Sequence, residues 1–381
     1  MIVFYPLQDK ELDYELHLKN KIMSTTKSNI KEVKGYDQIK YEQELFIKPI
    51  KDQFKKDFNR LRKSIGFSDY IELKLKENEL HIIILTAKHP NGKTINPVLE
   101  NMQTDKAAFE GWAICLKAWI PDIVKTVKLD WTTPDNKNLH YNRFLYRVIK
   151  FKQWYKDWFV YNPEKQQELD SFCGLMKKGA TNNYSSKEAA EGTNKEGIVE
   201  YNLINHEENK RELVKTLQLD FVGHHLPVGV KTSNGKSLFT GRQSAIDIWG
   251  ISHDKVLKVI ELKYNKNKNN RLHNIKVGII SELLFYCNIM DDIRQGNIKK
   301  PTIPVEKGIE QEKALYEKGW ESVEGVMLAT DYHPLLYKKD KLLEVLSANS
   351  QGIKFSMYQY DWDMNNKELK EIKPFNSKSC K

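Results

Sequence analysis

The sequence predicts a mixed α/β protein in two parts. Three observations predict it. Apolar residues recur every three to four positions in several long segments, as helices require. Short alternating runs rich in Val, Ile, Leu and Tyr lie between them, as strands require. A polar stretch, residues 177–197, then divides the chain. After that stretch the order reads helix, three strands, helix, strand, helix, strand.

In chain order, Tyr41, Leu45, Ile50, Phe54, Phe58 and Leu61 carry helical spacing over 38–64. Residues 70–75 and 79–86 alternate as strands joined by a turn at Lys76–Glu79. Residues 105–120 form an apolar helix stopped by Pro121, and 139–160 form a second amphipathic helix. Residues 1–176 are thus an N-terminal mixed α/β domain, suited to target recognition or sensing. The stretch 177–197 is Gly, Ser, Asn and charge with little apolar content, so it reads as a linker or mobile loop. In 198–381, helices are expected at 206–217, 272–293 and 339–348. Strands are expected at 226–231, 244–251, 255–264, 325–330 and 353–361.

The 381 residues carry 61 Lys+Arg against 51 Asp+Glu, a formal net charge of +10. A basic chain attracts polyanions, nucleic acid first among them. The charge is spread evenly: residues 1–200 hold 33 basic and 28 acidic residues, and the remainder 28 and 23. A binding surface must therefore be assembled by folding. The four cysteines, Cys115, Cys173, Cys287 and Cys380, form no CxxC pair, which excludes a zinc ribbon or redox motif and fits a reducing compartment. The apolar run at Met1–Pro6 is too short for a signal peptide. No stretch approaches the roughly 20 apolar residues of a membrane span. A soluble cytoplasmic protein is expected.

Chemistry concentrates in Ser244–Lys263. Asp247 closes one alternating run, and Glu261-Leu262-Lys263 closes the next. Strand side chains alternate faces, so Glu261 and Lys263 point the same way. A hairpin turning at Ser252–Lys255 would bring Asp247 beside them. Two carboxylates and an ammonium at one point suit an oxygen-loving cation such as Mg²⁺.

This order of elements, with Asp closing on Glu-x-Lys 14 residues later, resembles the PD-(D/E)XK nuclease superfamily. The resemblance covers roughly residues 200–361. It implies a restriction-endonuclease-like αβββαβ core and metal-dependent phosphodiester cleavage. Asp247, Glu261 and the backbone carbonyl of Leu262 would hold Mg²⁺, with Mn²⁺ able to substitute, and Lys263 would orient the attacking water or stabilise developing charge. The proline of the family motif is Ile246 here. In the RecB-like branch the following helix carries Gln-x-x-x-Tyr. Glu282 and Tyr286 are similar, with Glu for Gln, and stand on one helix face. Family members often add a Glu from the first core helix. Glu208 is the candidate, competing with a capping-box role beside Asn205. Arg242 and Gln243, just before the Asp247 strand, are candidates for touching phosphate or base.

Elsewhere, Arg143, Arg147, Lys150 and Trp154 make one helical stripe, and 136–156 hold six basic residues and no acid. This stripe could lie along phosphates, or be an ordinary solvated face. A second Glu-x-Lys, Glu72-Leu73-Lys74, has no acidic partner on a neighbouring strand, because Asp52 and Asp57 fall on the expected helix. It reads as a solvated strand face. His224-His225 reads as structural. No HExxH and no GxxxxGK[ST] occurs.

The expected function is a Mg²⁺-dependent DNA endonuclease in restriction or another defence against foreign DNA. It would favour duplex DNA, act as a homodimer to cut both strands, and work with a partner protein of a defence system. The alternatives are a catalytically silent nucleic-acid-binding module of the same fold and a ribonuclease.

Overall fold

The computed structural model describes residues 50, 52, 70–88, 93–177, 180–182, 192, 194–239, 244–264, 277–303 and 310–376. The chain divides into two units, Met1–Lys34 and Gly35–Lys381, and every described residue belongs to the second. The helix expected at 38–64 lies, apart from positions 50 and 52, outside the described residues.

The first sheet begins with the hairpin β1 (Ile71–Lys76) and β2 (Glu79–Ile84), antiparallel with Leu75 opposite Leu80. Helix α1 (Phe109–Trp119) then carries the chain to β3 (Thr126–Trp131), parallel to β2. Helix α2 (Leu139–Trp154) carries it to β4 (Phe159–Tyr161), parallel to β3. Each parallel step needs such a crossover. The helix expected over 139–160 stops at Trp154, because Trp158-Phe-Val-Tyr161 is a run of strand formers that the sheet captures. Helix α3 (Gln166–Lys177) closes this half.

Helices α4 (Lys195–Asn205) and α5 (Glu207–Leu217) lead into the second sheet. Its strands are β5 (Leu219–Pro227), β6 (Ala245–Ser252), β7 (Val256–Lys263), β8 (Ser322–Ala329), β9 (Lys354–Asp363) and β10 (Glu368–Pro374). They lie in the order β10-β9-β8-β7-β6-β5. The β5-β6-β7 meander is antiparallel, β7-β8-β9 is parallel, and β10 returns antiparallel. Helices α6 (Gly278–Arg294) and α7 (Glu310–Lys318) bridge β7 to β8, and α8 (Lys339–Ser347) bridges β8 to β9. The expected αβββαβαβ order stands within this half. The first strand lies earlier than expected, at 219–227, because Pro227 cannot donate to a ladder and ends it.

Alternation gives the sheet two buried faces. Ile248, Ile260, Leu262, Val326 and Leu328 pack with Val199 and Leu203 of α4 and Leu213 and Leu217 of α5. Trp249, Leu257, Val259 and Met327 face the other way, against Leu283 and Phe285 of α6. Gly223 makes room for Trp249, since a Cβ there would lie 2.6 Å from the indole ring. The second cluster also contains Phe109, Phe144 and Phe159. One apolar core therefore draws on both sides of the stretch 177–197.

Every residue of α6 from Gly278 to Ile293 is buried, as befits a helix covered on all sides. Its start meets α1 backbone to backbone. A Cβ on Gly111 would sit 2.3 Å from the Val277 carbonyl oxygen. Ser281 Oγ there accepts from Gly111 N (3.3 Å) and donates to Glu110 Oε2 (2.9 Å). Among the described residues, no helix is long and apolar enough to cross a membrane.

Candidate active site

The β6–β7 hairpin turns at His253-Asp254, with Lys255 in the left-handed region (φ 55°) and its N–H donating to Ser252 O at 2.9 Å. Its register, Ile251↔Leu257 through Ile248↔Ile260, carries Asp247 to the level of Glu261. Leu262 N donates to Asp247 Oδ2 at 3.1 Å. In a strand the N–H and C=O of one residue leave on the same edge, so the Leu262 carbonyl also leaves toward Asp247. The predicted trio is thus brought together at the carboxyl end of β7, where open α/β sheets tend to carry their sites.

Lys263 is held by three carboxylates. Its Nζ lies 2.7 Å from Glu261 Oε1, 3.2 Å from Glu282 Oε2 and 3.5 Å from Glu196 Oε1. Glu196 Oε2 also accepts from Tyr264 N at 3.2 Å, fixing the strand end. Glu261 and Glu282 are buried, and Glu196 is half-buried. Glu282 therefore joins the site as predicted. Tyr286, one turn on, is buried close to the acids of the site.

The electrostatics are those of crowded negative charge. Burial, then the carboxylates of Glu200, Glu196 and Glu282, push Asp247 up to about 8, with Lys263 opposing. Burial and Asp247 raise Glu261 well above its ordinary range. Burial also works against Glu282, but Lys263, the adjoining Glu261 and Arg143 outweigh it and hold that carboxyl low. Burial disfavours the Lys263 ammonium, yet Glu261, Glu282, Glu196 and Asp247 hold its pKa well above the ordinary value. Burial, then Glu261, Glu282 and Asp247, raise the Tyr286 phenol. Lys263 is thus a fixed cation, and the acids exceed what one cation neutralises.

One oxygen tests the fit of a metal. Glu261 Oε2 is buried with no hydrogen-bond partner, although a buried carboxylate oxygen normally has one. Asp247 and Glu282 stand beside this carboxyl, with the Lys263 ammonium at its other oxygen, so a proton shared with Glu282 or a bound cation would satisfy it. Asp247, Glu261 and the Leu262 carbonyl are all hard oxygen donors, the set Mg²⁺ prefers.

Other expectations are corrected. Glu208 is exposed on the first turn of α5. It caps nothing through Asn205, because His206 is the N-cap residue. The acids that reach the site come from the preceding helix, α4: Glu196, and Glu200 through its effect on Asp247. A clue was legible in their i, i+4 spacing, but the polar run up to Gly197 concealed the helix start.

Arg143 and Arg147 are each only 4% exposed and cannot lie along DNA. Arg147 Nε donates to Glu110 Oε1 (2.7 Å) and Nη2 to Ala107 O (2.9 Å). Arg143 Nη2 donates to Asn101 Oδ1 (3.1 Å) beneath Phe285. Lys150 is paired with Asp292, which also accepts from Tyr146 Oη at 2.7 Å. The stripe is thus an internal one that ties α2 to α1 and α6. Glu72 is also not solvated. It is 1% exposed, with Lys74 Nζ 3.0 Å away. Arg242 and Gln243 lie outside the described residues.

No family model, curated protein or solved structure matches the chain.

Proposed function

We propose that this protein is a Mg²⁺-dependent nuclease of the PD-(D/E)XK kind, hydrolysing DNA in defence against foreign DNA from the cytoplasm. The reading is carried by one observation: Asp247, Glu261 and Lys263 converge at a strand end, with a buried Glu261 oxygen left without a partner. In this reading Asp247, Glu261 and the Leu262 carbonyl hold Mg²⁺, or Mn²⁺ in its place. The bound cation supplies a Lewis acid that lowers the pKa of water and neutralises phosphate charge.

The protein's own groups do the rest. Lys263 keeps its proton because Glu261, Glu282 and Glu196 surround it. It therefore serves as a hydrogen-bond donor, orienting a water or a phosphate oxygen, and not as a base. Glu282 and Glu196 hold its Nζ in place. The buried pair of Arg147 and Glu110, with Ser281 beside it, braces the start of the helix that carries Glu282. The net charge of +10 favours a polyanionic substrate. Two copies, each cutting one strand, would cleave a duplex.

The test is supercoiled plasmid incubated with Mg²⁺, Mn²⁺ or EDTA, using the native protein and Lys263→Ala. Metal-dependent cutting that disappears in the variant is expected. Equal cutting by both proteins contradicts the reading. Binding of DNA without cutting under any cation would point to a silent module, and cutting of RNA alone to a ribonuclease.

A further inference from the structure

Beside Asp247, on the outer strand β5, two histidines meet one glutamate. Glu200 Oε1 lies 2.7 Å from His225 Nε2. One donor atom from each of Glu200, His224 and His225 falls within 4.8 Å of the others. The rings of the two histidines are 5.1 Å apart, centre to centre.

Successive strand residues should point to opposite faces, so adjacent histidines should not share a carboxylate. The backbone explains why these do. His225 adopts the left-handed conformation, φ 54°. The β5–β6 ladder pairs Ile246 with Leu226 and then Ile248 with His224, so His225 and Asp247 are the step between. That non-glycine strain persists only where surroundings enforce it, and here it turns the second imidazole toward the first.

One further atom points to a ligand: the buried Nδ1 of His224 has no hydrogen-bond partner. Glu200 is 8% exposed, and its Oε1, sealed from solvent, faces the His225 ring. His225 has a side-chain exposure of 43%, leaving one side of the cluster open to solvent. Two imidazoles, one carboxylate and an open position form a donor set that suits Zn²⁺ and its first-row neighbours, and not Mg²⁺.

We propose that Glu200, His224 and His225 form a second cation site, specific for a borderline first-row divalent metal such as Zn²⁺ and separate from the Asp247–Glu261 centre. It fastens α4 to β5 next to the candidate active site. It does not depend on the nuclease reading, since its readout is metal content.

The test uses the full-length protein carrying Asp247→Asn and Glu261→Gln, so that the first centre is disabled. Loaded with Zn²⁺ and desalted, it should retain one equivalent by elemental analysis. Co²⁺ should give the visible absorption of a low-coordinate site, and Zn²⁺ should raise Tm. Adding His225→Asn, a residue that tolerates a left-handed backbone, or His224→Gln should abolish all three signals. Retention of less than a tenth of an equivalent by the parent, or equal retention after His225→Asn, overturns the proposal. His225 is largely exposed, so its variant keeps the test decisive should His224→Gln fail to fold. Zinc binding intact while the native protein cuts no plasmid with any cation would overturn the nuclease reading alone.

Discussion

The chain contains two Glu-x-Lys strands, and their difference separates a site from an ion pair. In β1, Glu72 and Lys74 lie 3.0 Å apart, with the Glu 1% exposed. In β7, Glu261 and Lys263 lie 2.7 Å apart, with the Glu again 1% exposed. Burial and pairing are therefore alike. The cross-strand neighbours differ. Glu72 stands opposite Ile83, whereas the β6–β7 register delivers Asp247 to Glu261, and Glu282 and Glu196 close in from two helices. A motif becomes chemistry when other elements bring a second and third carboxylate to it.

The sharpest way to break this comparison is to remove both glutamates in turn. Glu261→Gln should bring metal-dependent cleavage down to background, while Glu72→Gln leaves the rate per folded molecule within about twofold. Lys263→Ala should cost about 10²–10³-fold, the usual loss for a charge-stabilising donor, and Lys74→Ala nothing. Plasmid cleavage at matched folded concentration reads both pairs. Glu282→Gln should cost about 10–100-fold, as expected for a group that positions another. Glu208→Ala, on an exposed first turn, should leave the rate unchanged.

Asp247 gives a pH test of the same contrast. Its folded-state pKa of about 8 lies above its ordinary 3.8. Between these values the native state binds more protons than the unfolded state, so stability falls as pH rises through that window. In EDTA, Tm should decline from pH 5 to pH 8.5, and Asp247→Asn should flatten the decline and raise Tm at pH 8.5. Mg²⁺ should restore the native protein at high pH and leave the variant unmoved. Gly111→Ala probes the brace between the halves. Its Cβ would meet the Val277 carbonyl at 2.3 Å, so a loss of about 1–3 kcal/mol is expected in denaturant unfolding. Gly174→Ala, with nothing within 4 Å, is its control.

Much of the second sheet was legible because each signal was local. The hairpin at Ser252–Lys255, the alternation of β6 and β7 and the apolar run of β8 need no distant partner to be read. What sequence missed depended on distant neighbours. Arg143 and Arg147 look solvated by type, and their burial follows from Asn101 and Glu110, 42 and 37 residues away, reaching them in the folded chain. Glu196 was concealed because α4 begins inside a polar stretch and its partner Lys263 is 67 residues away. His224 and His225 read as structural because an αL residue within a strand leaves no mark in composition.

The most direct test of the central claim is single-turnover cleavage of plasmid DNA in Mg²⁺ by Glu261→Gln and Glu72→Gln side by side. The account predicts background rates for the first and native rates for the second. Substantial residual cutting by Glu261→Gln, or equal loss in both, would contradict it.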